Sequence, residues 1–158
     1  MDLEAKKQAL RRIVHGVYVI GVRDGGKLNA FTATWITQVS FEPPLVAVGI
    51  RKDSVSFGMI EKTGVFAVNF LASGQKELAQ HFLKPAHLGG DKLAGIRHRA
   101  GVTGAPVLEE AAAYVECRVK GIHPAGDHSI VVGEVVEAGV QREAEPLTLK
   151  ETGWHYGG

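Results

Sequence analysis

The chain has 158 residues, and its 18 Lys+Arg against 17 Asp+Glu leave a formal charge of +1. That balance excludes a surface built as a whole for nucleic acid or anionic membrane, while 45% hydrophobic and 22% charged residues exclude disorder and suit one domain over residues 1–158. A single cysteine, Cys117, excludes an intrachain disulfide and a cysteine-based zinc site, and the longest apolar runs are about six residues, far short of a bilayer span.

Met1–Lys7 lacks an apolar signal core, which predicts a soluble, cytoplasmic protein. Leu3, Leu10, Ile13 and Val14 recur at roughly helical spacing, predicting an N-terminal helix. Tyr18–Arg23 reads as a strand closed by a turn at Asp24-Gly25-Gly26. Gly21–Leu28 nearly spells a P-loop. Leu28, however, stands where the magnesium-binding hydroxyl belongs and a strand follows, so a hairpin is the better reading. From Phe31 to Phe41 apolar and polar residues alternate, with Phe31, Ala33, Trp35, Val39 and Phe41 on one side. Period two predicts one strand, ended at Glu42-Pro43-Pro44 because proline cannot donate to a ladder.

Leu45–Ile50 is solidly apolar and predicts a buried strand. A short helix through Phe57, Met59 and Ile60 follows, stopped by Gly64, and then a second buried strand, Val65–Leu71. Ser73 is the expected N-cap of a helix that carries Leu78, Ala79 and Phe82 and ends at Pro85. Residues 84–105 are glycine-rich and weakly patterned, a long excursion of the kind used for a ligand or partner. Ala113, Val115, Cys117 and Val119 alternate with Tyr114, Glu116, Arg118 and Lys120, predicting a half-exposed strand. A turn at Pro124–Asp127 leads to a last long strand, Ser129–Val140. Strands dominate without regular strand–helix alternation, so the residues predict a β-barrel or sandwich decorated by helices.

Seven histidines (15, 81, 87, 98, 123, 128 and 155) show no metal-binding spacing, and no metal site is expected. Cys117 falls on the apolar side of its strand and predicts an inert buried thiol. The informative stretch is 29–56. Thr32, Thr34, Gln38 and Ser40 form a polar face beside Trp35, and Arg51-Lys52-Asp53-Ser54-Val55-Ser56 sets cations and hydroxyls at a helix start. Such a start attracts anions, phosphate above all; equally, Ser54 or Asp53 is an ordinary N-cap with solvated neighbours. A polar slot beside a phosphate site suits flavin, and it suits other nucleotides.

The run Asn29–Leu45 (Asn-Ala-Phe-Thr-Ala-Thr-Trp-Ile-Thr-Gln-Val-Ser-Phe-Glu-Pro-Pro-Leu) resembles the flavin reductase-like family. Arg51–Ser56, Gly64–Asn69, Gly126–Ser129, Gly133–Val135 and the terminal Trp154-His155-Tyr156-Gly157-Gly158 add to the resemblance in the right order over nearly the whole chain. It implies a mainly β fold, an antiparallel Greek-key split β-barrel with a few flanking helices. It implies FMN, or FAD, as cofactor and NADH or NADPH as electron donor. Thr34, Trp35, Ile36 and Thr37 would line the flavin ring and Ser40 the ribityl chain or phosphate. Ile50, Arg51, Lys52, Ser54 and Ser56 would hold ring edge and phosphate, Phe82 would close the pocket, and His128 would stand where nicotinamide docks. Arg51 or Lys52 would also raise the flavin potential. The implied activity is NAD(P)H:flavin oxidoreductase, as a homodimer that serves a monooxygenase. The alternative is a non-catalytic FMN electron carrier acting between redox protein partners.

Overall fold

A computed structural model describes residues 1–85 and 91–158; His87 and part of the 84–105 excursion lie outside the described residues. After helix α1 (Leu3–Leu10), strand β1 (Tyr18–Asp24) turns through Gly25-Gly26 into β2 (Lys27–Ala33), with Asp24 paired to Lys27. Gly25 takes φ 58°, a backbone that glycine adopts without the clash a Cβ would bring. The P-loop-like run is therefore a β-hairpin. Next come β3 (Ile36–Ser40), β4 (Leu45–Arg51), α2 (Val55–Thr63), β5 (Val65–Phe70) and α3 (Lys76–His81). The short strands β6 (His98–Ala100) and β7 (Pro106–Leu108) precede the long hairpin β8 (Ala113–Pro124) and β9 (His128–Val140), and α4 (Leu149–Thr152) comes last.

Seven strands form one antiparallel sheet in the order β2-β1-β5-β8-β9-β4-β3, while β6 and β7 pair separately. The outer strands of the large sheet, β2 and β3, are joined only by Thr34-Trp35. Laid flat, seven strands at about 4.8 Å spacing would hold those edges roughly 29 Å apart. Ala33 and Ile36, three residues apart, reach no farther than roughly 11 Å. The sheet must therefore curl on itself, and the result is an antiparallel barrel split between β2 and β3. The expected single strand from Phe31 to Phe41 is thus two strands on opposite edges, broken at Thr34-Trp35. Past the break the alternation faces outward: Val39 and Phe41 are exposed, Phe41 at 91%.

β1 and β5 are covered on both faces, which accounts for their unbroken apolar runs. Ile20, Val22, Phe66 and Val68 join Ile50, Cys117 and Val131 on one side, with Phe57, Met59 and Ile60 of α2 packed onto them. Val17, Val19 and Leu71 pack with Phe82, Leu108 and Leu147 on the other. Burial at this depth pushes the Cys117 thiol up to about 12. Gly64 ends α2 at φ 68°, as the sequence predicts, and of the two N-cap candidates it is Ser54 that caps the helix.

Other elements depart from expectation. Leu45, Val46 and Ala47 are only half-buried, because β4 lies next to the outer strand β3. The apolar residues around α1 are exposed and the helix buries none of its own. Glu116 and Cys117 alternate to opposite faces of β8, like their β5 partners Ala67 and Phe66, and Glu116 is buried instead of solvated because the segment around Gly101–Ala105 covers its face. Its carboxylate accepts from the Val102 and Thr103 amides at 3.0 and 2.8 Å and from the Thr103 hydroxyl at 2.6 Å. Ser73 is not an N-cap either. Gln75 stands at that position without a side-chain cap bond, and Ser73 Oγ donates to Glu151 Oε1 at 2.6 Å.

The Gly74 amide completes the clasp at 2.8 Å on Glu151 Oε2, tying α4 to the turn before α3. These two bonds hold the Glu151 carboxyl below its ordinary range. A depressed folded-state value stabilises the fold above the unfolded value of about 4.3 and is lost as pH falls through the folded one. Glu151→Gln is therefore expected to flatten the acid limb of Tm against pH. An unchanged limb would assign the clasp no part in acid stability. Among the described residues no helix is long and apolar enough to cross a membrane, and no three His, Cys, Asp or Glu side chains converge to hold a metal.

Candidate functional site

The break between β2 and β3 opens a cavity of about 740 Å³, walled by β2, β4, the start of α2, the end of α3 and the C-terminal segment after α4. Trp35 forms its floor. The Trp35 carbonyl accepts from the Gly49 amide at 2.9 Å, and a Cβ on Gly49 would stand 3.2 Å from the indole. Glycine at 49 thus lets the indole lie close against β4. Across the floor, Asn29 Nδ2 donates to Ser56 Oγ at 2.8 Å and ties β2 to α2. Thr34 is 8% exposed, and its Oγ1 has no hydrogen-bond partner among the described residues. A buried hydroxyl left without a partner costs about 1–3 kcal/mol, so this atom marks where the wall is incomplete.

At the α2 end, the charges expected to be free are engaged. Arg51 donates from Nε and Nη2 to the two carboxylate oxygens of Asp53 at 3.0 and 2.7 Å. That pairing raises the Arg51 value and lowers that of Asp53. Both groups are exposed, so the pair contributes little to stability. Ser54 Oγ accepts from the Phe57 amide at 3.1 Å and donates to the Arg51 carbonyl at 2.8 Å. What α2 still offers an anion is the amides of Val55 and Ser56, which precede the helical ladder and the Phe57 amide that Ser54 takes.

The opposite end is aromatic. The His128 ring lies 4.6 Å from Trp35, and Tyr156 lies 5.1 Å from Trp35. His128 Nδ1 meets Asp127 Oδ1 at 2.7 Å, and Nε2 meets the Tyr156 hydroxyl at 2.9 Å. A carboxylate can only accept, so Nδ1 carries the hydrogen and neutral imidazole leaves Nε2 to accept the Tyr156 O–H. The bond from His128 holds the Asp127 carboxyl below its ordinary range, while burial pushes the Tyr156 phenol up.

Of the residues singled out in the sequence, Thr34, Trp35, Ile50, Arg51, Ser54, Ser56, Phe82 and His128 line this cavity together. Ile36 and Thr37 do not. β3 runs away along β4, and they line a smaller recess of about 330 Å³ beside Tyr18 and Phe70. Ser40, at the end of β3, lines neither. Lys52 also stays outside: Nζ donates to the Ala125 carbonyl at 2.8 Å, and its amide donates to the Asp127 carbonyl at 3.1 Å. It braces the hairpin turn that carries Asp127 and His128. The sequence reading missed Asn29, Lys92, Leu149 and Trp154, which also line the cavity. Asn29 had a local signal, a polar side chain amid an apolar strand. Lys92 is buried, with Nζ 2.8 Å from the Lys84 carbonyl, and burial lowers its value.

Residues 10–158 match the model of the flavin reductase like domain. The reductase component of 4-hydroxyphenylacetate 3-monooxygenase from Thermus thermophilus is 34% identical over 151 residues, 96% of this chain and 94% of that protein. Diflavin flavoprotein A 1 of Synechocystis is 36% identical over 148 residues, covering 93% of this chain and 25% of that protein. The chain thus spans about a quarter of the length of this relative. Among solved structures, the NADH:FAD oxidoreductase of Streptomyces globisporus C-1027, in complex with NAD and FAD fragments, superposes with a TM-score of 0.84 at 28% identity. That match covers 95% of this chain and 88% of the other.

Proposed function

The chain belongs to the flavin reductase-like domain family, and we propose that it is an NAD(P)H:flavin oxidoreductase that holds FMN or FAD in the cavity on Trp35. A bound flavin supplies the two-electron acceptor for a hydride from NADH or NADPH. The residues present fit such a group. The volume lies in the range of cofactor sites, the wall is largely apolar, and Thr34 Oγ1 lacks a partner that a polar ring edge would provide. Thr34, Trp35 and Ile50 would hold the ring. The first-turn amides of α2, with Arg51, Ser54 and Ser56, would hold phosphate, and Phe82 would close the pocket. Arg51 would shift from Asp53 to do so. Ile36, Thr37, Ser40 and Lys52, outside the cavity, are given no direct role. His128, oriented by Asp127, would meet the nicotinamide.

Thr34 is the observation that carries this reading. Thr34→Val keeps the shape and removes the orphaned hydroxyl, so the ligand-free protein is expected to be as stable or more so. Affinity for FMN or FAD, followed by absorbance titration, should drop about tenfold. Unchanged affinity, or a wild type that binds neither flavin, would refute the assignment.

The relatives also motivate the physiological setting: this protein would be the reductase half of a two-component monooxygenase, working as a cytoplasmic homodimer. The exposed Leu3, Ile13, Val14 and Phe41 support a second copy, since they are apolar and uncovered in one chain. Sustained NADH or NADPH oxidation with added free flavin is the expected behaviour. Reduction only through a partner protein would instead identify an electron carrier.

A further inference from the structure

The last residues of the chain do something the proposed reaction does not use. Beyond α4, Gly153 turns the backbone at φ 74° and Trp154 anchors against the Val17–Leu147 cluster. His155, Tyr156, Gly157 and Gly158 then run over the cavity with all four exposed. Among the described residues few interactions hold them. The Tyr156 hydroxyl bonds His128 Nε2 at 2.9 Å, the Tyr156 ring leans on Trp35 at 5.1 Å, and the Gly157 carbonyl accepts from Arg11 Nε at 3.3 Å. The Tyr156 ring is 43% exposed. An aromatic ring therefore stands at the cavity wall on two partners, a flat indole and one imidazole nitrogen, and only a weakly fastened strap keeps it there.

We propose that Tyr156 occupies the seat of the nicotinamide and competes with it for that place. This rests on the proposed function, in which the donor docks at His128. A nicotinamide offers the same chemistry as the phenol: a planar ring to set beside His128, facing the flavin that Trp35 would hold, and a carboxamide N–H to donate to Nε2. Two rings cannot share that place, so the donor binds only when the strap swings out. The measured affinity is the intrinsic one reduced by the fraction of open strap. Gly157 sets the closing geometry. It holds φ 94°, where an L side chain is strained, and a Cβ there would lie 3.1 Å from Trp35 Cζ2.

Three variants of the flavin-loaded protein test this by steady-state kinetics and anaerobic single-turnover reduction with NADH and NADPH. Tyr156→Ala removes the competitor, and KM for the donor is expected to fall about tenfold, with the rate of reduction at saturating donor little changed. Tyr156→Phe keeps the ring, loses the hydroxyl bond and should fall partway. Gly157→Ala strains the closed strap while keeping the Tyr156 ring and hydroxyl, and should lower KM in the same direction. A merely structural tail would raise KM or depress the saturated rate. Flavin that binds normally in all three while KM holds or rises would overturn the competition and leave the flavin site standing. A wild type that binds no flavin would overturn both.

Discussion

Replacing Phe66 by alanine is expected to lower the unfolding free energy by about 3–5 kcal/mol, measured by denaturant titration. Its ring is fully buried in the cluster shared by β1, β4, β5, β8 and β9. It is also the ring against which Gly133 of β9 is fitted. A Cβ on Gly133 would stand 2.5 Å from Phe66 Cζ and 2.9 Å from Cys117 Cβ. Gly133→Ala alone should therefore overpack the barrel, at a cost of about 1–3 kcal/mol. In the Phe66→Ala background the added methyl finds room left by the missing ring. The double variant should be more stable than the sum of the two single effects predicts, by about 0.5–3 kcal/mol of coupling. Strict additivity would mean that the two sites relax independently, and that Gly133 is not there to admit the ring.

His128→Ala is expected to reduce kcat/KM for NADH or NADPH about 10²-fold, the scale on which a misplaced reactant costs rate. The side chain fills the space 4.6 Å from Trp35 and presents Nε2 to the cavity, with Asp127 fixing the ring by its bond to Nδ1. Its loss removes both the stacking surface and the acceptor. Flavin affinity should change little, because the proposed flavin contacts lie on Thr34, Trp35 and the start of α2. This sign is opposite to that expected for Tyr156→Ala, although the two side chains touch. Losing the docking group weakens donor binding, whereas losing its competitor strengthens it. A His128→Ala protein with wild-type kcat/KM would place the donor elsewhere in the cavity.

Many strand and helix assignments were legible locally. Period-two alternation located β8, the turn at Pro124–Asp127 led on to β9, and solid apolar runs located β1 and β5, because strands buried on both faces show no alternation. Ser54 and Gly64 marked both ends of α2 by chemistry that acts within one turn. Ser73 carried the same local signal and failed, because Glu151, distant in sequence, competes for its hydroxyl.

By itself, then, the order of residues determined most of the long strands, the hairpin turns, the end of α2 at Gly64 and the ordered family pieces that point to a flavin. Only the tertiary structure decided that an alternating run would break at Thr34-Trp35, since the cause is closure of a sheet whose edges must meet. The same closure carries Ile36 and Thr37 away from the cavity, and Lys52 turns to the neighbouring hairpin turn instead. It also brings Tyr156 onto Trp35 from the far end of the chain. Local spacing reports which way a side chain alternates; which partner it meets depends on contacts such as Lys52 with Ala125, Ser73 with Glu151 and Trp35 with Tyr156, between residues too far apart for any window of sequence to contain.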